Sequence, residues 1–306
     1  MSAARSFREL WDLASGLEPV AVAVAGGDEP EVMRSIQVGI ERGLVSFATV
    51  TGDGARLAAL TPPAIRSKVD LIHAGDSASC AQMAASAVRG GRAAILIKGA
   101  TDSGAYLRAI MDRDAGLRRS GVLSNVTIAE MSSFHKLIAA TDNGITPFPT
   151  LEQKRAIIAN TGPLFLGLGV AIPKVALIAA TEKVSAAMPA TRDALDLSAE
   201  AGSGDLRDFV IDGPLGYDAA MDHAAAVIKG LHASPVAGDP DLLVFSNIEA
   251  ANAVAKSWKL HGGAKTGSLV LGASVPVLLN SRSDSAERRL NALLLARLAQ
   301  MNGRDR

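Results

Sequence analysis

The sequence predicts an α/β protein with mostly parallel β-sheets, and three observations support this prediction. Short apolar runs alternate along the chain with Ala-rich stretches of helical character. The runs are continuously apolar, which is typical of strands that are buried on both faces of a parallel sheet. Aromatic residues make up only 4% of the chain, so the core consists mostly of Ala, Val, Leu and Ile. The 306 residues are enough for two packed cores.

The predicted elements follow a βαβα order, which favours parallel sheets. Val and Ile are frequent in the predicted strands, whereas Ala, Leu and charged residues dominate the predicted helices. A short connection between residues 126–131 and 136–141 predicts an antiparallel hairpin. The other strands are predicted at residues 19–24, 45–51, 68–73, 93–98, 174–180, 208–212, 239–246, 268–271 and 275–279. Helices are predicted at residues 29–42, 77–89, 151–168, 191–201, 218–229, 248–258 and 285–301, and one opens after the loop 98–104.

Composition argues against several classes of protein. Lys plus Arg and Asp plus Glu both total 31, and this zero net charge argues against a nucleic-acid partner. The single cysteine, Cys80, cannot form an internal disulfide or a thiolate cluster, and the five histidines lack metal-ligand spacing. The chain shows no signal-peptide pattern and no apolar run near the roughly 18 residues of a membrane span. We therefore expect a cytoplasmic protein without a metal site or a membrane partner.

The first candidate site is the loop at residues 280–285, between a predicted strand and a predicted helix. Ser281 supplies a hydroxyl, Arg282 a guanidinium, and the start of the helix supplies free N–H groups. This combination suits an oxyanion such as phosphate. The alternative is an ordinary helix start, because Asp284 followed three residues later by Glu287 is also a capping pattern.

The second candidate loop comprises residues 98–104. It follows an apolar strand and opens a helix, and its candidate phosphate ligands are Lys98, Thr101, Ser103 and, one turn into the helix, Arg108. Two hydroxyls and two cations can hold a phosphate. The alternative is a solvated turn with Arg108 on an exposed helix face.

Two further segments follow predicted strands, where ligands collect in open α/β sheets. One contains Asp212, Gly213 and Pro214, and the other contains Asn247, Glu249 and Asn252. A lone Asn or Glu after a strand is more often a helix cap or a turn former. The order of these segments along the chain is therefore more informative than any one of them.

Taken in order, these segments resemble the phosphate acetyl/butyryl-transferase family, and its butyryl-type members most closely. The likeness covers nearly the whole chain, and several ordered motifs carry more weight than any single one. The segments that carry it are residues 96–99 (LIKG), 107–110 (LRAI), 151–154 (LEQK), 188–191 (MPAT), 212–215 (DGPL), 229–238 (KGLHASPVAG), 247–252 (NIEAAN), 271–276 (LGASVP) and 281–285 (SRSDS).

The resemblance implies two three-layer α/β domains with an interdomain cleft, an architecture like that of isocitrate and isopropylmalate dehydrogenases. Domain I would comprise residues 1–121 and 277–306, and domain II residues 122–276. The resemblance also implies a homodimer whose substrates are acyl-CoA and inorganic phosphate. Coenzyme A would be a cosubstrate, and no cofactor or metal would be required.

The implied activity is the reversible transfer of a short-chain acyl group, of the acetyl or butyryl class, between coenzyme A and phosphate. By the same resemblance, Ser281 would hydrogen-bond the reacting carbonyl or the phosphate. Arg282 and Arg108 would bind phosphoryl oxygens. Asp212, Gly213, Pro214, Asn247, Glu249 and Asn252 would bind the CoA and acyl portions.

This chain departs from the family pattern at three positions. Acetyl-type relatives place an acid seven positions after the serine to deprotonate coenzyme A, but here that position holds Arg288. Asp284 and Glu287 are the nearby candidate bases. Asp102 stands where butyryl-type relatives usually have His, and Ala251 where they have Gly. An unpaired acid beside a phosphate site would oppose anion binding.

Two other functions remain as alternatives. One is a non-catalytic acyl-CoA-binding protein or a partner subunit of an enoyl-CoA hydratase. The other is a decarboxylating dehydrogenase of similar architecture, which would require clustered aspartates for a divalent metal. The sequence shows no clear cluster of this kind.

Overall fold

The computed structural model describes residues 3–112, 117, 121–281 and 283–303. The chain forms two compact units. Unit 1 comprises Met1–Phe7 and Val122–Thr266, and unit 2 comprises Arg8–Gly121 and Gly267–Arg306. The domain boundaries expected from the sequence, after residues 121 and 276, stay a prediction.

The strands and helices alternate along most of the chain. The strands are β1 (Val20–Ala25), β2 (Val45–Gly52), β3 (Val69–His73), β4 (Ile95–Lys98), β5 (Ser124–Glu130), β6 (Ile138–Thr141), β7 (Lys174–Ile178), β8 (Val210–Leu215), β9 (Leu242–Val244), β10 (Lys265–Leu271) and β11 (Val277–Leu278). The helices are α1 (Phe7–Ala14), α2 (Pro30–Glu41), α3 (Gly54–Leu60), α4 (Ser77–Arg89), α5 (Ser103–Met111), α6 (Leu151–Asn160), α7 (Gly162–Gly167), α8 (Pro189–Ala199), α9 (Tyr217–Met221), α10 (His223–Ile228), α11 (Ile248–Leu260) and α12 (Ala286–Gly303).

In unit 2 the strands lie in the order β3-β2-β1-β4-β11-β10. The first five run parallel, and β10 is antiparallel to β11. Helix α4 packs on β1, β2 and α5, and α12 packs on α2 and β11. The central strand β4 is buried along its whole length. The carboxyl ends of the five parallel strands consequently meet at one edge of this sheet.

In unit 1 the strands lie in the order β5-β6-β9-β7-β8. The predicted hairpin is confirmed, because β5 and β6 pair in antiparallel fashion. The pairs β6–β9, β9–β7 and β7–β8 are parallel. The core includes Ile138, Ala176, Leu243, Phe245 and Trp258. The predicted α/β class with mostly parallel strands is thus confirmed.

Two helices predicted as continuous are each broken in the structure. The predicted helix at residues 151–168 is α6 followed by α7, because Pro163 has no N–H to continue the helix and is tolerated only in the first turn of a new one. The predicted helix at residues 218–229 is α9 followed by α10. It breaks at Asp222, whose backbone is extended and whose carboxylate accepts the Ala224 N–H at 2.8 Å.

A network of charged side chains lies at the amino ends of β6, β7 and β9. Lys136 Nζ lies 2.9 Å from Asp239 Oδ1 and 2.7 Å from Asp241 Oδ1, and Lys174 Nζ lies 2.6 Å from Asp239 Oδ2. His135 Nε2 lies 2.9 Å from Asp239 Oδ1. The predicted strand 239–246 begins only at residue 242, and both acids before it belong to this network.

The two lysines hold Asp239 in its ionised form. Burial alone would raise the pKa of Asp239, but hydrogen bonds from Lys174 and Lys136 and the charges of both lysines lower it to about 2, from an ordinary value of 3.8. A lowered pKa of an acid contributes stability above its ordinary pKa, and this contribution is lost as the pH falls through the lowered value.

Asp239→Asn is expected to destabilise unit 1 at neutral pH by about 1 kcal/mol, a modest value because the side chain is 40% exposed and water screens the pair. The difference in urea midpoint from the wild type should shrink as the pH falls from about 4 to about 2. Asp196→Asn, at an exposed position on α8, is the matched control and should cause little change. An Asp239 effect that is constant over this pH range would contradict the assignment.

Candidate active site

The two candidate phosphate loops leave neighbouring strands. β4 and β11 are parallel, with Val277 opposite Leu96 and Leu278 opposite Ile97. The hydroxyl of the fully buried Tyr106 lies 3.1 Å from both the Leu96 and the Leu278 carbonyl oxygens. The loops 98–104 and 280–285 therefore start side by side at the carboxyl edge of the unit 2 sheet.

The loop after β4 is pressed against the end of β1. The Ala100 N–H donates to the Gly26 carbonyl at 2.7 Å, and a Cβ on Gly99 would lie 1.9 Å from that same oxygen, so only glycine fits there. Lys98 is 3% exposed, and its Nζ donates to the Gly99 carbonyl at 3.3 Å. Thr101 is 2% exposed, and its Oγ1 has no hydrogen-bond partner within the described part of the chain.

The start of α5 combines an acid and a cation. Asp102 is the N-cap, because its carboxylate accepts the Ala105 N–H at 2.9 Å. This hydrogen bond is the main reason that the pKa of Asp102 is lowered, and the charge of Arg108 adds to it. Arg108 is exposed, and its Nη1 lies 3.2 Å from the point that a Cβ on Gly104 would occupy. The Arg108 guanidinium therefore lies against the first turn of α5, where Ser103 is also exposed.

The backbone of Ser281 is held on both sides. Its N–H donates to Asp284 Oδ2 at 2.9 Å, and its carbonyl accepts Arg289 Nη2 at 3.0 Å. The Ser281 residue is exposed, and its Oγ lies 3.1 Å from Ser283 Oγ. The fold thus presents the Ser281 hydroxyl from a fixed backbone. Arg282, the predicted phosphate ligand next to it, lies outside the described residues.

Asp284 is not the cap of α12, so the capping interpretation of Asp284 and Glu287 is wrong. Ser285 takes that place, because its Oγ accepts the Arg288 N–H at 3.4 Å. Asp284 is buried and turns its carboxylate to Ser281, whereas Glu287 is exposed. The capping pattern identified the helix start correctly but assigned the wrong residue to it, because Ser285 is an equally good cap.

Arg289 is a functional candidate that the sequence did not single out. It is 4% exposed. Its Nε donates to the Asp284 carbonyl at 3.3 Å, and its Nη1 lies 3.5 Å from the Lys98 carbonyl. Burial lowers the pKa of Arg289, and the negative charge of Asp284 counters that shift. The sequence contained one signal for Arg289. A cation in the first turn of a helix interacts unfavourably with the helix dipole, so its presence there indicates a specific role.

In unit 1, Asp212, Gly213 and Pro214 lie within β8 instead of after it, which corrects their expected position. Asp212 Oδ1 accepts the Gly213 N–H at 2.8 Å, and Oδ2 is hydrogen-bonded to the Ser234 hydroxyl. Ser234 Oγ in turn accepts the Ala237 N–H at 3.0 Å. Asp212 therefore fixes the segment after α10.

The other predicted CoA or acyl ligands lie at the start of α11. Asn247 is its N-cap, with Oδ1 accepting the Ala250 N–H at 2.9 Å. Asn252 Nδ2 donates to the Asn143 carbonyl at 2.9 Å, and Glu249 is exposed. Asn247 also lines a cavity of about 560 Å³ at the carboxyl ends of β7 and β9. The structure thus places the predicted ligands in two sets, one in each unit.

Asp142, which follows β6, has a structural role. It is buried, and its carboxylate accepts the N–H groups of Asn125, Gly144, Ile145 and Thr146 at 2.8–3.1 Å. Burial raises the pKa of Asp142, and these four hydrogen bonds oppose the shift. A carboxylate with so many backbone donors organises a turn and has little capacity left for a ligand.

The described ranges of the chain contain no group of three or more His, Cys, Asp or Glu side chains placed to hold a metal ion. They also contain no helix that combines the length and the apolar character needed to cross a bilayer.

This chain is similar in sequence to known phosphate acyltransferases. A family model described as phosphate acetyl/butaryl transferase matches residues 76–297. A probable phosphate butyryltransferase of Bacillus subtilis is 34% identical over 90% of this chain and 91% of its own length. A phosphate acetyltransferase of Rhizobium meliloti is 36% identical over 76% of this chain and 72% of its own length. These names give no support to a non-catalytic partner subunit.

A solved structure supports the same relationship. The branched-chain phosphotransacylase from Enterococcus faecalis V583 superposes with a TM-score of 0.81 at 28% identity. The match covers 92% of this chain and 99% of that one.

Arg289→Met is expected to lower the stability of unit 2 by about 2–3 kcal/mol, because it leaves buried carbonyls and the buried Asp284 carboxylate without their cation. Arg288→Met removes the neighbouring cation but none of these contacts, and it should change stability by less than about 0.5 kcal/mol. The measurement is the urea midpoint of each variant. Equal effects of the two substitutions would show that Arg289 does not hold the loops.

Proposed function

Because this chain belongs to the phosphate acetyl/butaryl transferase family and is a phosphate acyltransferase, we propose that it binds the reacting phosphate at the carboxyl ends of β4 and β11. The reaction is acyl-CoA plus phosphate giving acyl phosphate plus coenzyme A, in either direction. We propose acyl groups of the acetyl or butyryl class as substrates.

The observation that carries this proposal is the fixed backbone of Ser281. Asp284 accepts its N–H and Arg289 donates to its carbonyl, while the Ser281 residue stays exposed. A hydroxyl held in this way can donate to an oxygen that gains negative charge during the reaction without reorganising at that moment. The carboxylate of Asp284 thus acts by holding Ser281 in place.

The proposed phosphate ligands are Lys98, Thr101, Ser103 and Arg108, together with Arg282 by resemblance. The unpartnered Oγ1 of Thr101 supports a ligand at this loop, because a buried hydroxyl without a partner costs roughly 1–3 kcal/mol. The guanidinium of Arg108, which lies against the start of α5, offers the fork of N–H groups that matches phosphate oxygens.

The chemical steps follow from the substrates. A phosphate oxygen attacks the thioester carbonyl, and the carbonyl π-electrons move to oxygen to give a tetrahedral oxyanion. The carbonyl then re-forms as the C–S bond breaks, and coenzyme A leaves as the thiolate. Cations at the phosphate site and the Ser281 hydroxyl stabilise the charge that develops.

The remaining sequence predictions belong to the same proposal. The CoA and acyl portions are proposed to bind at Asp212, Gly213, Pro214, Asn247, Glu249 and Asn252. Coenzyme A acts as a cosubstrate with no required cofactor or metal. A homodimer and a cytoplasmic location complete the proposal.

Purified protein that is mixed with acyl-CoA and phosphate is expected to release free thiol only when phosphate is present. Ser281→Ala should lower kcat about 100-fold, as loss of one preorganised donor does, without changing the urea midpoint. Ser86→Ala, at an exposed position on α4 of the same unit, is the matched control and should retain most activity. Phosphate-independent thiol release, or full activity of Ser281→Ala, would refute the site.

Asp102→Asn is expected to lower the KM for phosphate severalfold at low ionic strength, because it removes a negative charge beside the phosphate loop. Asn is as good an N-cap as Asp, so α5 should remain intact. Asp222→Asn, at the N-cap of α10, is the matched control and should leave the KM unchanged. An unchanged or raised KM for Asp102→Asn would place the phosphate elsewhere.

A further inference from the structure

The side chain of Ser281 makes two contacts with Ser283. The Ser283 N–H donates to Ser281 Oγ at 3.4 Å, in the turn that a serine hydroxyl forms with the N–H group two residues further on. The two hydroxyl oxygens lie 3.1 Å apart and form a hydrogen bond in which either can be the donor. Ser283 therefore contacts the same oxygen that is proposed to face the reacting group.

These contacts supply a constraint that the backbone of Ser281 lacks. Asp284 and Arg289 fix that backbone, but the Cα–Cβ bond of a serine can still rotate among three staggered positions. Hydrogen bonds from Ser283 favour the position in which Ser281 Oγ faces Ser283. A preorganised donor must be in place before the reaction, so the loop fixes the side chain as well as the main chain.

The hydroxyl of Ser283 has no competing structural task among the described residues. Ser285, two positions further on, caps α12, because its Oγ accepts the Arg288 N–H. Ser283 is exposed, and in the part of the chain that the structure describes its hydroxyl bonds only to Ser281. An exposed hydroxyl that caps no helix contributes little to stability, so its contact with Ser281 is its distinguishing feature.

The direction of the hydrogen bond between the two hydroxyls follows from the number of protons. Each hydroxyl has one proton. When the Ser281 proton points to an oxygen that gains negative charge, only the Ser283 proton can lie between the two serine oxygens. Ser283 is then the donor and Ser281 the acceptor. Hydrogen bonds in such a chain strengthen one another, so Ser283 makes Ser281 a better donor as the charge develops.

We propose that Ser283 is a positioning residue for acyl transfer to and from phosphate. It orients the Ser281 hydroxyl and donates to it in the transition state, and it acts through Ser281 without touching the substrate. No proton is transferred between the two serines. The inference rests on the proposed function, which assigns the Ser281 hydroxyl to the reacting group. A contact that strengthens in the transition state affects kcat more than KM.

Ser283→Ala removes only the hydroxyl, and it should lower kcat roughly two- to tenfold, the effect of one neutral hydrogen bond. The KM for phosphate and the urea midpoint should stay unchanged, because the residue is exposed and acts only through Ser281. Ser283→Thr keeps the hydroxyl and should restore most of the lost activity. Ser86→Ala, on α4, is the matched control.

A double-mutant cycle provides the decisive measurement. In protein that already carries Ser281→Ala, the further change Ser283→Ala should alter kcat by less than about 1.5-fold, because the residue through which Ser283 acts is gone. An equal loss in both backgrounds would show that Ser283 acts independently of Ser281 and would overturn the inference. A raised KM for phosphate would show that Ser283 binds phosphate itself, with the same consequence.

Failure of the proposed function gives a different result. Wild-type protein that releases no thiol, or full activity of Ser281→Ala, would overturn the proposed site and this inference together. Phosphate-dependent thiol release that Ser281→Ala reduces and Ser283→Ala does not would overturn the inference alone. A lower urea midpoint for Ser283→Ala without rescue by Ser283→Thr would also overturn it, because that result indicates a structural role.

Discussion

The candidate phosphate site depends on one buried guanidinium. Arg289 lies within hydrogen-bonding reach of the carbonyls of Lys98, Ser281 and Asp284. It therefore joins the end of β4 to the loop that follows β11. A buried cation is tolerated only when it is paired and hydrogen-bonded, and the buried Asp284 supplies the opposite charge. The position of the Ser281 hydroxyl thus depends on the position of Arg289 in α12.

Two cations and one acid lie at the carboxyl edge of the unit 2 sheet, next to the proposed phosphate site. Lys98, the last residue of β4, is buried, and Arg108, on α5, is exposed. Asp102 adds a negative charge, but its carboxylate is engaged as the cap of α5. The acid at this position consequently stabilises the helix whose N–H groups an anion would approach, and it weakens the attraction for that anion at the same time.

The two ends of the unit 1 sheet differ in character. The amino ends of its strands carry the network around Asp239, in which each charge has a partner. The carboxyl ends carry the cavity, with Phe148 exposed at its rim. The cavity end is mostly apolar, and Lys154 and Asp193, which also line it, form an ion pair with each other.

The sequence by itself determined the α/β class, the hairpin of β5 and β6, and the family, because periodicity and ordered motifs are properties of the chain. It also identified the loops after β4 and β11, since strand ends can be read from apolar runs. It could not place β11 beside β4, assign the cap of α12 to Ser285, or find Arg289. Those facts depend on which residues, distant in sequence, the tertiary structure brings into contact, and on which charged side chains it buries. The cavity at the carboxyl ends of β7 and β9 likewise depends on the tertiary structure, because the residues that line it are distant in sequence.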